Sequence, residues 1–360
     1  TGSASTQTDN TVDIAALLPL LRQSLGLTVD SLSVISAGAR RAGTRGYPAV
    51  YDTLIGTPPY AGRRETWLIA RIAMLDNAET LRWRTSVGTT AIAAGQRIAA
   101  ALRENGIRAR VATASDIAAL ESRLGCSAMC TGTRRWRALR GAGGWLSSYW
   151  YPDGLTAEKL AQAWTLRVDG VVQNVTVYPD GTATGTITVR TAQPPQATPS
   201  VAFRTLPGQQ ARAVAGHRCG PAPRLSGIER RRLPDSLVIP VGPSGVLLGK
   251  LSGGRRLVLP FDDPADASRV HIAAEDALTK RLIVRLAGAG ERITVHTNDR
   301  QRWDSVRMPG VAIVDRVRPA SDGTVSVVDG TLAPVPRPNT VLTVGEPHPA
   351  AEAPRGDRKS

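Results

Sequence analysis

Apolar residues along this chain switch repeatedly between a period of two and a period near three and a half. Residues 31–36, Ser-Leu-Ser-Val-Ile-Ser, alternate as a half-buried strand does. Residues 65–73 are apolar almost throughout, which predicts a central strand. Residues 79–105 carry the longest helical pattern, and Asn105-Gly106 stops it. Shorter signals surround these. An amphipathic helix is expected over 13–26, with Pro19 inside it, and another from Pro48 to Gly56. A short strand near 107–111 precedes a helix capped by Ser115 and Asp116 and ending at Leu124. Residues 144–151 read as a strand, and Thr156 caps the helix after it. Residues 165–190 read as a hairpin turning at Pro179-Asp180-Gly181.

Periodicity then lapses. Residues 191–235 are rich in Pro, Gly, Arg and Gln and read as a linker or long loop. The glycine-punctuated stretch 237–263 follows as two or three short strands. A βαβαβ unit then runs through the strand 269–274, a helix 275–289, the strand 292–297, a helix near 299–307 and the strand 311–317. Residues 321–332 suggest a final hairpin. The expected fold class is α/β: mixed sheets with flanking helices in two Rossmann-like or transferase-like subdomains. The expected division is a first domain over 12–190, a linker or long loop over 191–235, a second domain over 236–332 and a disordered proline-rich tail over 333–360.

Composition narrows the class. With 360 residues and 42% hydrophobic content the chain can bury two cores and is not disordered. A net charge of +15 favours polyanionic surroundings, whether nucleic acid, an anionic membrane or an acidic protein. The arginines are scattered rather than blocked, which fits a solvated surface better than a nucleic-acid stripe. No run of about 18 apolar residues occurs, so no transmembrane helix is expected within the chain. The start, Thr1-Gly2-Ser3, lacks Met and any signal pattern, as expected for a region excised from a longer protein.

Several stretches resemble chemistry without completing it. Gly242 to Lys250 imitates a phosphate loop, yet three residues rather than four separate Gly245 from Gly249, and Leu251 replaces the magnesium-binding hydroxyl. The turn before the helix at 275 has no glycine and carries Glu275 and Asp276 where a phosphate would sit. Asp262 and Asp263 could hold a divalent metal beside a diphosphate, or serve as ordinary turn residues. Cys126, Cys130, His217 and Cys219 supply zinc-type ligands at an unusual spacing, with free thiols the plainer alternative. Arg134, Arg135, Trp136 and Arg137, followed by Trp145, Tyr149, Trp150 and Tyr151, form the best basic and aromatic cluster. It could stack bases, sit at lipid headgroups or dock a protein.

Five segments, in order, resemble the EccE family of mycobacterial type VII (ESX) secretion systems. They are residues 34–43, 51–72, 93–111 and 144–164, and the stretch ending in Leu259-Pro260-Phe261-Asp262-Asp263. The resemblance implies a structural subunit of an inner-membrane complex beside EccB, EccC and EccD, without catalysis, cofactor or metal. It implies a plasma-membrane protein whose two N-terminal transmembrane helices lie outside this chain, with this domain on the cytoplasmic side. Anionic inner-leaflet lipid is a candidate partner, and nucleic acid is not expected. Partner-binding candidates are Arg134, Arg135, Trp136, Arg137, Trp150, Arg255 and Arg256. Two alternatives stay open: a metal-dependent nucleotide-sugar glycosyltransferase using Asp262 and Asp263, and a basic nucleic-acid binder using Arg134, Arg135 and Trp136.

Overall fold

The structure is a computed structural model. It describes residues 11–39, 50, 63–84, 86–126, 129, 132–141, 143–241, 246–250, 256–259, 261, 268–320, 323–335 and 340–345. The chain divides into two compact units, Thr1–Pro260 and Phe261–Ser360. The division therefore falls after the expected second domain has begun, and 191–235 is not a linker. The content is mixed helix and strand, with antiparallel and parallel sheets, as expected. No described helix is long and apolar enough to cross a membrane.

In the first unit the strands are β1 (Thr11–Asp13), β2 (Ser31–Ala39), β3 (Arg63–Arg71), β4 (Leu139–Gly141), β5 (Gly144–Trp150), β6 (Gly170–Val177), β7 (Thr182–Thr191), β8 (Arg204–Thr205), β9 (Arg231–Arg232), β10 (Val238–Pro240), β11 (Val246–Lys250) and β12 (Arg256–Leu259). Its helices are α1 (Ala78–Arg82), α2 (Val87–Glu104), α3 (Ala114–Arg123), α4 (Ala157–Gln162) and α5 (Gln210–Ala215). Eight strands make one sheet in the order β3-β2-β6-β7-β5-β4, with β8 beside β5 and β9 beside β7. Every described pairing in it is antiparallel, so this unit is not the Rossmann-like fold that alternating helices and strands suggested. The β6–β7 hairpin turns where expected, with the Asp180 carboxylate accepting from the Thr182 amide at 2.9 Å.

Some local signals held and others did not. Ser86 caps α2, and Asn105-Gly106 ends it, with Gly106 at φ +77°. The expected single helix over 79–105 is broken between α1 and α2. Thr113, not Ser115, caps α3, in a reciprocal box with Asp116. No strand forms at 107–111. Residues 15–21 and 24–26 are 3-10 turns rather than one helix, because Pro19 cannot continue an α-helix. The apolar strand β3 lies at the end of the sheet path, not its centre. The helix expected over 48–56 lies, except for residue 50, outside the described residues.

Both faces of this sheet are covered. One packs Leu32, Val34, Val171, Val175 and Ile187 against Leu17, Leu21, Ile98, Leu160 and Trp164. The other packs Ile35, Ile69, Leu139 and Leu146 under Leu120, Leu124 and Val214. Residues 191–235 return twice to the sheet edge-on as β8 and β9 and lay α5 over it. Separately, β1 pairs with β10 and β11 with β12, so the glycine-punctuated stretch is indeed short strands.

In the second unit β13 (Ser268–Ala273), β14 (Ile293–Thr297), β15 (Val311–Val314), β16 (Val325–Asp329) and β17 (Thr340–Gly345) form an all-parallel sheet ordered β13-β17-β16-β14-β15. Helix α6 (Asp276–Gly288) buries Thr279, Ile283 and Leu286 and connects β13 to β14. Two expectations are corrected here. Among the described residues of 321–332 there is one strand, not a hairpin, and 340–345 form an inner strand rather than part of a disordered tail. Parallel partners lie far away in sequence (Arg269 opposite Val341), so no local turn announces them.

Candidate functional site

The basic cluster forms a tight turn leading into β4. The Arg135 amide donates to the Ala138 carbonyl at 2.8 Å, and Arg134 bridges to Leu139. This turn leaves the side chains of residues 134–137 exposed. Arg135 lies 4.6 Å over the buried Trp145 ring, and Arg140 approaches the same ring at 5.8 Å. The Arg134 guanidinium donates to the Met129 carbonyl at 2.8 Å. Trp136 is 70% exposed, with its carbonyl accepting from the Gly208 amide at 2.7 Å. Gly208 has φ +74°, and a Cβ there would meet the Trp136 ring at 2.7 Å. Only glycine lets the backbone pass so close under the indole.

Of the other partner-binding candidates, Trp150 and Arg256 fall among the described residues. Trp150 is half-buried at the far end of β5 from Trp145, opposite Arg204 of β8. Arg256 begins β12 with its backbone opposite Lys250. Arg255, Asp262, Asp263 and Cys130 lie outside the described residues. Cys126 is buried against the Val214 carbonyl, and burial pushes its thiol up to about 12. Cys219 is exposed, and its amide donates to Glu121 at 3.2 Å. Among the described residues, no three His, Cys, Asp or Glu side chains group as metal ligands do.

A polar seam crosses the second sheet face, and the sequence reading missed it. Ser33 of β2 bonds Thr176 of β6 at 2.8 Å, and Thr176 donates to Asn174 at 3.1 Å. Ser148 of β5 bonds Thr188 of β7 at 2.8 Å, and Thr188 shares a 2.9 Å bond with His217 Nε2. The segment after α5 is tied down from the sheet. Asn174 donates to the Gly216 carbonyl at 3.1 Å, and Arg71 donates to the carbonyls of Gly216, Arg218 and Gly220 at 3.0, 3.1 and 2.8 Å. Gln210 reaches down from α5, accepting from the Ser148 amide at 2.6 Å. His217 is fully buried, and its Nδ1 finds no partner among the described residues. Burial, with Arg71 nearby, holds its imidazole down at about 4, so it is neutral at pH 7. Alternating Ser and Thr on these strands signalled a pleated polar face, and alternation does not say what covers it.

The second unit closes its own crevice. The C-terminal edge of a parallel sheet is where open α/β folds bind ligands. Here Asp329, ending β16, accepts from Trp303 Nε1 at 2.6 Å, from Arg302 Nη1 at 2.7 Å and from the Thr297 hydroxyl at 2.9 Å. Arg302 also donates to Asp276 at 2.8 Å, and Lys280 pairs with Asp276 at 2.5 Å. These pairings hold the Asp276 carboxyl below its ordinary range. The first turn of this helix thus carries its own acid, a charge that disfavours phosphate there.

Residues 60–151, which include β3, α1 to α3, the basic turn and β5, match the family described as "Putative type VII ESX secretion system translocon, EccE". Over 96% of its length the chain is 50% identical to the ESX-2 secretion system protein EccE2 of Mycobacterium tuberculosis (strain CDC 1551 / Oshkosh), spanning 68% of that relative. It is 27% identical over 73% of its length to the ESX-1 protein EccE1 of the same strain, spanning 52% of that protein. A shorter match, 32% identical over 31% of the chain, reaches the ESX-5 protein EccE5 of Mycobacterium marinum (strain ATCC BAA-535 / M) and spans 28% of it. The chain belongs to the EccE family.

Proposed function

We propose that this chain is a non-catalytic structural region of a type VII (ESX) secretion membrane complex, docking to the EccB, EccC or EccD components through its first unit. The observation that carries this reading is the 50% identity to an ESX-2 secretion protein across nearly the whole chain. The exposed turn at Arg134, Arg135, Trp136 and Arg137 is the proposed dock. A Trp standing out among guanidiniums has the composition of an interface anchor. In this reading the protein acts at the plasma membrane, with this region on the cytoplasmic side. The test is co-purification of the full-length protein with the other membrane components. Truncating Arg134, Trp136 and Arg137 to Ala should reduce recovery of a partner. Unchanged assembly would reject the turn as the dock, and failure of the unaltered protein to recover any component would reject the scaffold role itself.

A further inference from the structure

One edge of the first unit exposes large apolar side chains that its core does not use. Leu25 is 84% exposed, Leu75 90%, Trp83 88% and Met74 60%. These residues come from two loops stitched side by side. Arg22 bridges Thr28 across the first loop, and the Gln23 amide donates to the Leu27 carbonyl at 2.8 Å, which leaves Ser24, Leu25 and Gly26 at its tip. The second loop grips the first at three points. Asn77 exchanges hydrogen bonds with both backbone groups of Thr28 at 2.8 and 3.0 Å. Thr80 donates to the Gly26 carbonyl at 3.3 Å, and Arg84 donates to that of Ser24 at 3.1 Å. Leu25 itself sits in the left-handed region at φ 59°, ψ 35°, which a leucine rarely adopts. A buried Asn77 and a left-handed leucine thus hold apolar tips outward, where folding alone would turn them in.

We infer that this edge inserts into the surface of an anionic lipid bilayer. Leu25, Leu75 and Trp83 are almost fully solvated, and exposed Leu, Met and Trp suit the headgroup boundary. Exposed Arg22, Arg82 and Arg97, with the half-buried Arg84, flank them, against exposed Asp76 and Glu79, so the local balance is positive and complements acidic headgroups. The inference stands on the geometry of this edge alone and holds whether or not the Arg134–Arg137 turn docks a protein.

Flotation of the full chain with vesicles tests it. The vesicles are equal parts phosphatidylcholine and phosphatidylglycerol, or phosphatidylcholine alone. The protein should float with the anionic vesicles. The triple variant Leu25→Asn, Leu75→Ser, Trp83→Ser should lose about tenfold or more in partitioning while unfolding at an unchanged urea midpoint. The conservative variant Trp83→Phe should keep most of the binding. Flotation by the triple variant equal to that of the parent would overturn the inference, because scattered arginines would then suffice. So would light scattering that shows a dimer lost in the triple variant with no vesicle binding by the parent, which would make the edge a contact between copies.

Discussion

Arg71 Nη1 donates to the Ser33 hydroxyl at 2.6 Å, joining the terminal strand β3 to β2 through side chains as well as backbone. The same guanidinium receives three carbonyls of the segment that covers the sheet, so one residue clamps two layers. Replacing it with Met keeps the apolar stem but leaves those carbonyls unanswered. Arg71→Met should cost about 3 kcal/mol. Arg71→Lys should recover less than half of that loss, since one ammonium cannot span the fork. Urea unfolding midpoints measure both.

His217 gives the fold a defined response to acid. Its folded-state proton affinity lies near 4, below the ordinary 6.5, so the unfolded chain binds the proton first. Stability is therefore complete above pH 6.5 and falls as pH drops towards 4, by up to about 3 kcal/mol from this group. His217→Gln, which can still bond Thr188, should flatten that part of the stability–pH curve. A slope equal to the parent's between pH 6.5 and 4 would assign the acid response elsewhere.

Gly208 controls the stance of the exposed indole. Gly208→Ala places a methyl where the Trp136 ring now lies and strains a left-handed backbone, at a cost of about 2 kcal/mol. The ring must move, so acrylamide quenching should change relative to a Trp136→Phe control. If the turn docks a partner, this variant should weaken recovery without removing any charge.

Asp329 organises the second unit. Asp329→Ala removes the acceptor of the fully buried Trp303 and frees Arg302 from one of its two acids. A loss of about 3 kcal/mol is expected. Amide exchange should quicken in β14 and β16 and stay unchanged in β6 and β7. Asp329→Asn, which retains an oxygen for the indole, should cost less.

What the sequence determined by itself were the features set by neighbours along the chain. The capping hydroxyl at Thr156, the stop at Asn105-Gly106, the Pro179-Asp180-Gly181 turn and helix α6 all depend on interactions within a few residues, which periodicity and turn chemistry record. The failed phosphate loop and the family resemblance were equally legible, since both rest on residue order. Tertiary structure alone decided which strands meet. An apolar strand such as β3 looks central wherever it pairs, and β17 becomes an inner strand only because β13 and β16 lie on either side of it. Burial was likewise invisible: Ser33, Thr176 and Thr188 alternate as a solvent face would, and only the return of α5 and His217 over them turns that face into an interior. Leu25, Leu75 and Trp83 show the converse, apolar side chains that end in water. Hydropathy states what a residue would gain by burial, whereas the long-range pairings of the chain decide which residues receive it.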